Sequence, residues 1–366
     1  MTSLMSLRIS WVADKMESND SLHRIKRYLK EYDGPDMNIM EVCGSHTGAI
    51  AKLGIPSVIS KKIHLISGPG CPVCVTPSSY IDKLIELSKI PGNVIVSFGD
   101  LIRVPGSMHS LSDMKGRGAD IRMVYSPADT IEIAVKEPDK NFIFAAIGFE
   151  TTTPVYALVV KEIIEGGLKN IKILTALKTM PAVIKKMMDD GASVDAFIAP
   201  GHVSAITGYR VYEPLAAKYG IPFGVAGFKG NELLAAICGI VMKRGCGSVM
   251  NYYPAVVTPD GNKKAQELVS HYFMPVDAVW RGLGPVPDSG MILRPEFSFL
   301  DAGSSGLDED IKMNRACSCD KVLTGRFKPY ECPLFGTACT PQTPQGACMV
   351  SLEGSCYSYY VNKRID

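Results

Sequence analysis

The sequence predicts an α/β protein with two doubly wound parallel-sheet domains around a cleft, plus a mainly helical and irregular cysteine-rich domain. Three observations lead there. Over residues 36–230 short apolar runs alternate with amphipathic helical segments, the order that builds parallel sheets. The runs at 141–147 and 196–199 are strongly apolar, as strands covered on both faces are. Beyond residue 231 the pattern becomes helical, then dissolves into a Gly-, Pro- and Cys-rich tail with little apolar material for a core. A bound metal centre supplies cross-links in such a segment.

At 366 residues the chain exceeds one ordinary core. The expected division is 36–125, 126–230 and 231–366, with an N-terminal helix at 10–32 packed on the last part. A hydrophobic content of 46% with 21% charged residues describes a soluble globular protein. Thirty-nine basic against 37 acidic residues leave +2, with no basic block to hold nucleic acid or an anionic membrane. The first residues lack the charged and apolar regions of a secretory signal, and no run reaches the roughly 18 apolar residues of a membrane span. The expected location is the cytoplasm.

Taken in order, Leu22, Ile25 and Leu29 share one face of the first helix, which Asp33-Gly34-Pro35 stops. Residues 37–42 read as a buried strand ending in Cys43-Gly44-Ser45-His46-Thr47-Gly48, before a short helix at 49–53. A strand is expected at 57–60 and another at 63–66, leading into Gly68-Pro69-Gly70-Cys71-Pro72-Val73-Cys74 and a helix from Tyr80. Strands follow at 93–98 and 121–125, with 103–118 read as loop. Then come strand 141–147, a helix through Glu165, strand 171–176, helix 182–188, strand 196–199, strand 222–226 and helix 232–244.

Polar motifs recur where these strands end: Cys43 and His46, Cys71 and Cys74, Glu150-Thr151-Thr152, and His202 with Ser204. Four at equivalent positions point to a shared cleft, because open α/β sheets bind ligands at the carboxyl ends of their strands. Cys43 and His46 have a spacing that lets thiolate and imidazole share one metal. Otherwise His46 lowers the thiol pKa, or Cys43 is an ordinary buried cysteine. Cys71 and Cys74 read as a pair cycling between dithiol and disulfide, as half a metal site, or as structural thiols. Glu150 and its threonines either project into the cleft or form a helix N-terminus. His202 is a base, donor or ligand, or a structural turn residue.

Six of the eleven cysteines lie in the last fifty residues. Clustering of this kind in a cytosolic chain indicates metal or redox chemistry rather than a disulfide scaffold. Cys317, Cys332, Cys339 and Cys356, with Cys319 and Cys348 as extras, can hold an iron–sulfur cluster or a tetrahedral zinc. Cys238 and Cys246 read as core or incidental.

The motifs Met40–Thr47, Gly68–Pro77, Ile147–Pro154 and Pro200–Ser204, with Cys332-Pro333-Leu334-Phe335-Gly336, Cys339-Thr340-Pro341 and Cys348-Met349-Val350-Ser351, together resemble the HypD family of nickel–iron hydrogenase maturation proteins. The resemblance implies two similar α/β domains around a cleft and a third carrying a 4Fe–4S cluster. It further implies a scaffold, shared with a small HypC-type partner, on which iron acquires cyanide and carbon monoxide. Cyanide would come from a HypE-type carrier supplied by HypF, and the product would move on to the hydrogenase large subunit. By motif match Cys43 would bind the iron with His46 close by, and Cys71 and Cys74 would be redox-active. Cys317, Cys332, Cys339 and Cys356 would hold the cluster, in a pattern similar to that of ferredoxin–thioredoxin reductase. Glu150, Thr152 and His202 would hydrogen-bond incoming cyanide. Where some members carry a second histidine, this chain has Gly48. A cluster-dependent thiol–disulfide oxidoreductase and a zinc-stabilised binding module are the competing classes.

Overall fold

The computed structural model describes residues 19–312 and 314–362. The first helix is seen over Asn19–Lys30, and residues 10–18 of the expected helix lie outside the described residues. It buries Ile25 and Leu29 against the apolar helix Gly230–Met242.

The first sheet contains β1 (Met37–Glu41), β2 (Ile63–Ser67), β7 (Ala196–Pro200), β8 (Phe223–Ala226) and β9 (Val249–Asn251), in the order β2-β1-β7-β8-β9 and all parallel. The second contains β3 (Asn93–Ser97), β4 (Ile121–Met123), β5 (Asn141–Gly148), β6 (Ile171–Lys178), β10 (Phe273–Trp280) and β11 (Gly284–Leu293). Its order is β10-β11-β6-β5-β3-β4, parallel from β6 to β4 and antiparallel at the added hairpin. The α/β class with two parallel-dominated sheets is therefore as expected.

Connectivity is less simple than the sequence division suggests. The chain runs through β1 and β2, crosses to the second sheet for β3–β6, returns for β7–β9, and crosses again for β10 and β11. Residues 36–125 and 126–230 each give strands to both sheets, so the boundary between them runs across the sheets rather than between them. Apolar periodicity identifies strands, but pairing depends on contacts far apart in sequence.

Three local expectations are corrected. Residues 57–60 are not a strand, because Pro56 opens a 3₁₀ turn over Ile55–Val58; proline fixes φ and supplies no ladder donor. Within 103–118 lies a helix, Leu111–Gly116, started by a Ser110/Asp113 capping box. The segment beyond 231 is not merely helical, since β10 and β11 extend the second sheet. Pro275 on the edge strand, Pro285, Pro287 and the bulge between Val276 and Ala278 hide that hairpin from a periodicity reading.

Helix Gly230–Met242 packs between the first helix and the first sheet, with Leu233, Ala236, Ile237 and Ile240 fully buried. Ile237→Ala is expected to lower unfolding free energy by about 2–5 kcal/mol, as deletions in close-packed cores do, and denaturant titration would measure it.

Candidate functional site

The cleft forms where each sheet reverses its strand order. In the first sheet β1 leads to β2 on one side and lies beside β7 on the other; in the second, β3 lies between β4 and β5. Such reversals leave a crevice beyond the carboxyl ends of the strands. Here the two crevices open into one cavity of about 520 Å³, lined by Cys43 and Ser45 after β1, Asp100 after β3, Thr151 and Thr152 after β5, and Pro200 and His202 at the end of β7.

Cys43 caps the helix Gly44–Lys52 in extended conformation, so that helix starts earlier than expected and the motif lies on its first turn. Its thiol is half-buried, and desolvation pushes it up to about 12, with the carboxylates of Glu353 and Glu41 adding to the rise and the His46 and Ser45 backbone N–H groups opposing it. Glu41 is buried below, accepting from the Cys43 N–H at 3.1 Å and from the Thr47 hydroxyl.

His46 is wholly buried and does not line the cleft. Its Nε2 donates to the carbonyls of Ala226 and Gly227, at 3.1 and 3.0 Å, which sets the tautomer and leaves Nδ1 without a partner. Burial lowers its pKa to about 4. Phe228 lies between the rings of His46 and His202, at centroid distances of 4.8 and 4.3 Å. His202 itself stands on the cleft wall, its pKa lowered by partial desolvation.

The Cys-x-x-Cys loop lies directly beneath. The Gly44 N–H donates to Gly70 O at 2.9 Å, and Gly68 N–H to Glu41 O at 2.8 Å. A Cβ on Gly70 would stand 2.2 Å from the Cys43 nitrogen, so only glycine permits this approach. Cys71 and Cys74 are joined in a disulfide and almost fully buried. Gly70, Pro72 and Val73, not the sulfurs, face the cleft. Cys71 caps the turn Pro72–Val75, its sulfur accepting from the Cys74 N–H at 3.1 Å.

On the far side, Cys74 Sγ lies 4.0 Å from Ala347 O, next to Cys348. There Cys317, Cys319, Cys332, Cys339, Cys348 and Cys356 all line one compact cavity with about 10 Å³ of free space. Cys319 and Cys348 place their sulfurs 2.9 Å apart. Among the described residues, no three His, Cys, Asp or Glu side chains are already arranged as a metal-binding group. In donor type and convergence the six thiols suit a thiolate-ligated centre.

Glu150 stays off the cleft wall while its threonines reach it. One oxygen accepts from the Met180 N–H at 2.9 Å and the other has no partner, and burial raises the acid to about 7. Thr152 donates to Phe149 O at 3.1 Å, which leaves its oxygen an acceptor toward the cleft.

Several contributors were not legible in the sequence. Asp100 accepts from the Ser351 hydroxyl and the Leu352 N–H, at 3.1 and 3.3 Å, and Ser45 donates to Glu353 at 3.0 Å. The strap Ser351–Glu353 thus ties the ends of β1 and β3 together across one side of the cleft. Its sequence signals are the Cys348–Ser351 motif that opens it and the neighbouring Cys356.

A family model described as "Hydrogenase formation hypA family", and named HypD, matches residues 17–363. This chain belongs to the HypD family of hydrogenase maturation factors. It is 40% identical over 334 residues to a hydrogenase maturation factor HypD from Rhodobacter capsulatus, covering 88% of this chain and 89% of that one. Against the HypD of Rhizobium leguminosarum bv. viciae it is 42% identical over 340 residues, covering 89% and 88%. A putative hydrogenase expression/formation protein of Methanocaldococcus jannaschii is 40% identical over 361 residues, covering 97% and 99%. This HypD-family chain carries Gly48 after the Cys43/His46 motif, and a Cβ there would meet nothing within 4 Å. No helix among the described residues is long and apolar enough to cross a membrane.

The raised pKa of Glu150 yields a pH test. The unfolded acid ionises near 4.5, while the folded one keeps its proton to about 7. Its contribution to stability is therefore full below about 4.5 and is lost as pH rises to about 7, at a rate of about 1.4 kcal/mol per unit. Glu150→Gln should match wild type near pH 4.5 and exceed it at pH 8, by chemical denaturation at both pH values.

Proposed function

We propose that this HypD-family chain is the scaffold on which an iron atom gains cyanide and carbon monoxide ligands, held between this chain and a small HypC-type partner. The observation that carries the reading is the stacking of three sulfur sites: Cys43 on the cleft wall, the Cys71–Cys74 disulfide beneath it, and six cysteines around one cavity behind the disulfide.

Iron is the substrate here. Cys43 would hold it by its thiolate, since a soft sulfur donor suits an iron that carries strong-field ligands. Burial disfavours that thiolate until a cation arrives, so the thiol would give up its proton as iron binds. His46 would act from below, as an anchor fixing the turn that presents Cys43 and not as an iron ligand. On the opposite wall His202 would donate, and Thr152 accept, hydrogen bonds around an incoming cyanide. Glu150, adjoining that wall, would hold the proton that such transfers move.

Cys317, Cys332, Cys339 and Cys356 would hold a 4Fe–4S cluster, with Cys319 and Cys348 beside it. When bound, the cluster supplies single electrons. Cys71 and Cys74 would form the neighbouring two-electron couple, shielded from water by Gly70, Pro72 and Val73. A HypE-type carrier, itself supplied by HypF, would deliver cyanide at the open side of the cleft, and the product would go on to the hydrogenase large subunit. The setting would be the cytoplasm. A reductase of protein disulfides needs sulfurs that a partner can reach, and the burial of Cys71 and Cys74 speaks against it.

Anaerobic co-purification with the HypC-type partner, followed by infrared spectroscopy, tests this reading. Wild type should show iron–cyanide bands and contain iron and sulfide; Cys43→Ala should lose the bands and keep the sulfide. Undiminished bands in Cys43→Ala would sink the iron assignment, and zinc without sulfide in wild type would sink the cluster.

A further inference from the structure

The turn between β10 and β11 connects the two interior sulfur sites. Its first residue, Arg281, is 8% exposed. The Arg281 N–H donates to Val75 O at 2.8 Å, its Nε to Thr76 O at 2.7 Å, and its terminal nitrogen to Pro105 O at 3.3 Å. The first two of these carbonyls lie at the end of the short helix that contains Cys74. The next residue, Gly282, has φ +79°, and a Cβ there would stand 2.6 Å from the Cα of Asp320, the neighbour of Cys319. One turn therefore touches the disulfide loop and the helix on the wall of the cysteine cavity.

Around the guanidinium the charges are few. Asp310 lies 3.7 Å from Nε and also accepts from the Gly282 and Ser78 N–H groups, at 3.1 and 3.2 Å. Asp320 is paired with Lys312 at 2.6 Å. A buried arginine stays charged at any ordinary pH, and its fork serves several carbonyls where a lysine serves one direction at a time. The two backbone carbonyls that the guanidinium serves would be satisfied as well by neutral donors, so hydrogen bonding alone does not call for a buried cation here.

The structure assigns Arg281 as the positioning residue that biases the Cys71–Cys74 couple toward its reduced form, by placing a fixed positive charge at the end of the loop that carries it. The assignment rests on the redox role proposed above. In the reaction two electrons and one proton enter, the S–S bond breaks, and one thiol and one thiolate form. A cation at the end of that helix favours the thiolate on the product side and does nothing for the neutral disulfide. Removing the cation makes reduction harder, and removing the opposing carboxylate makes it easier.

Full-length chain, equilibrated anaerobically in dithiothreitol buffers of graded thiol-to-disulfide ratio, is alkylated and the Cys71/Cys74 peptide quantified by mass. Arg281→Gln should lower the equilibrium constant for reduction up to about tenfold, a shift of about 30 mV for a two-electron couple. Arg281→Lys should remain near wild type, and Asp310→Asn should move the opposite way. Should Arg281→Gln not fold, Asp310→Asn decides alone. Coincident titrations for wild type and every folded variant would overturn the inference, whatever their melting temperatures. A wild-type pair that never titrates would overturn the redox role itself, and this inference with it.

Discussion

The close approach of two backbone segments, Gly68–Gly70 and Cys43–Gly44, governs the architecture of the site. It requires hydrogen bonds between the two loops and a bare Cα at Gly70. Gly44 faces a second restriction, because a Cβ there would stand 2.5 Å from Glu353. Cys43 is therefore fixed from beneath by the disulfide loop and from the side by the C-terminal strap. Its thiol acquires its environment from parts of the chain far apart in sequence.

Burial then assigns different tasks to similar groups. His46 and His202 flank one phenylalanine, yet one is sealed among backbone carbonyls and the other meets the cleft. Glu150 and Glu353 both have raised pKa values, chiefly through desolvation. Only Glu353 reaches the cleft; the unpartnered oxygen of Glu150 is held in the interior beside it. Strongly perturbed acids of this kind cluster at functional sites more than elsewhere on proteins.

Much of this was legible in the sequence, for a physical reason. Residues 141–147 and 196–199 announce strands because both faces are covered, and the glycine-rich ends of those strands mark the turns that bear Thr152 and His202. What stayed hidden depends on contacts between distant segments. Nothing in the neighbourhood of Asp100 or Glu353 shows that a strap joins them, and nothing in residues 68–92 or 179–195 shows the chain passing between sheets. The β10–β11 hairpin escaped because its prolines and bulge break the period-two pattern that strands usually display.

The repeated passage of the chain between the two sheets has a mechanical consequence. Two bodies joined by one flexible link can swing apart like the covers of a book. Here three covalent seams cross the same gap, and a hydrogen-bonded strap adds a fourth tie. Wide swinging would strain several seams together, leaving small shear as the soft motion. The first seam runs from Ser67 to Asn93 and carries the Cys-x-x-Cys loop, so a shift of either wall would load the segment that holds the disulfide.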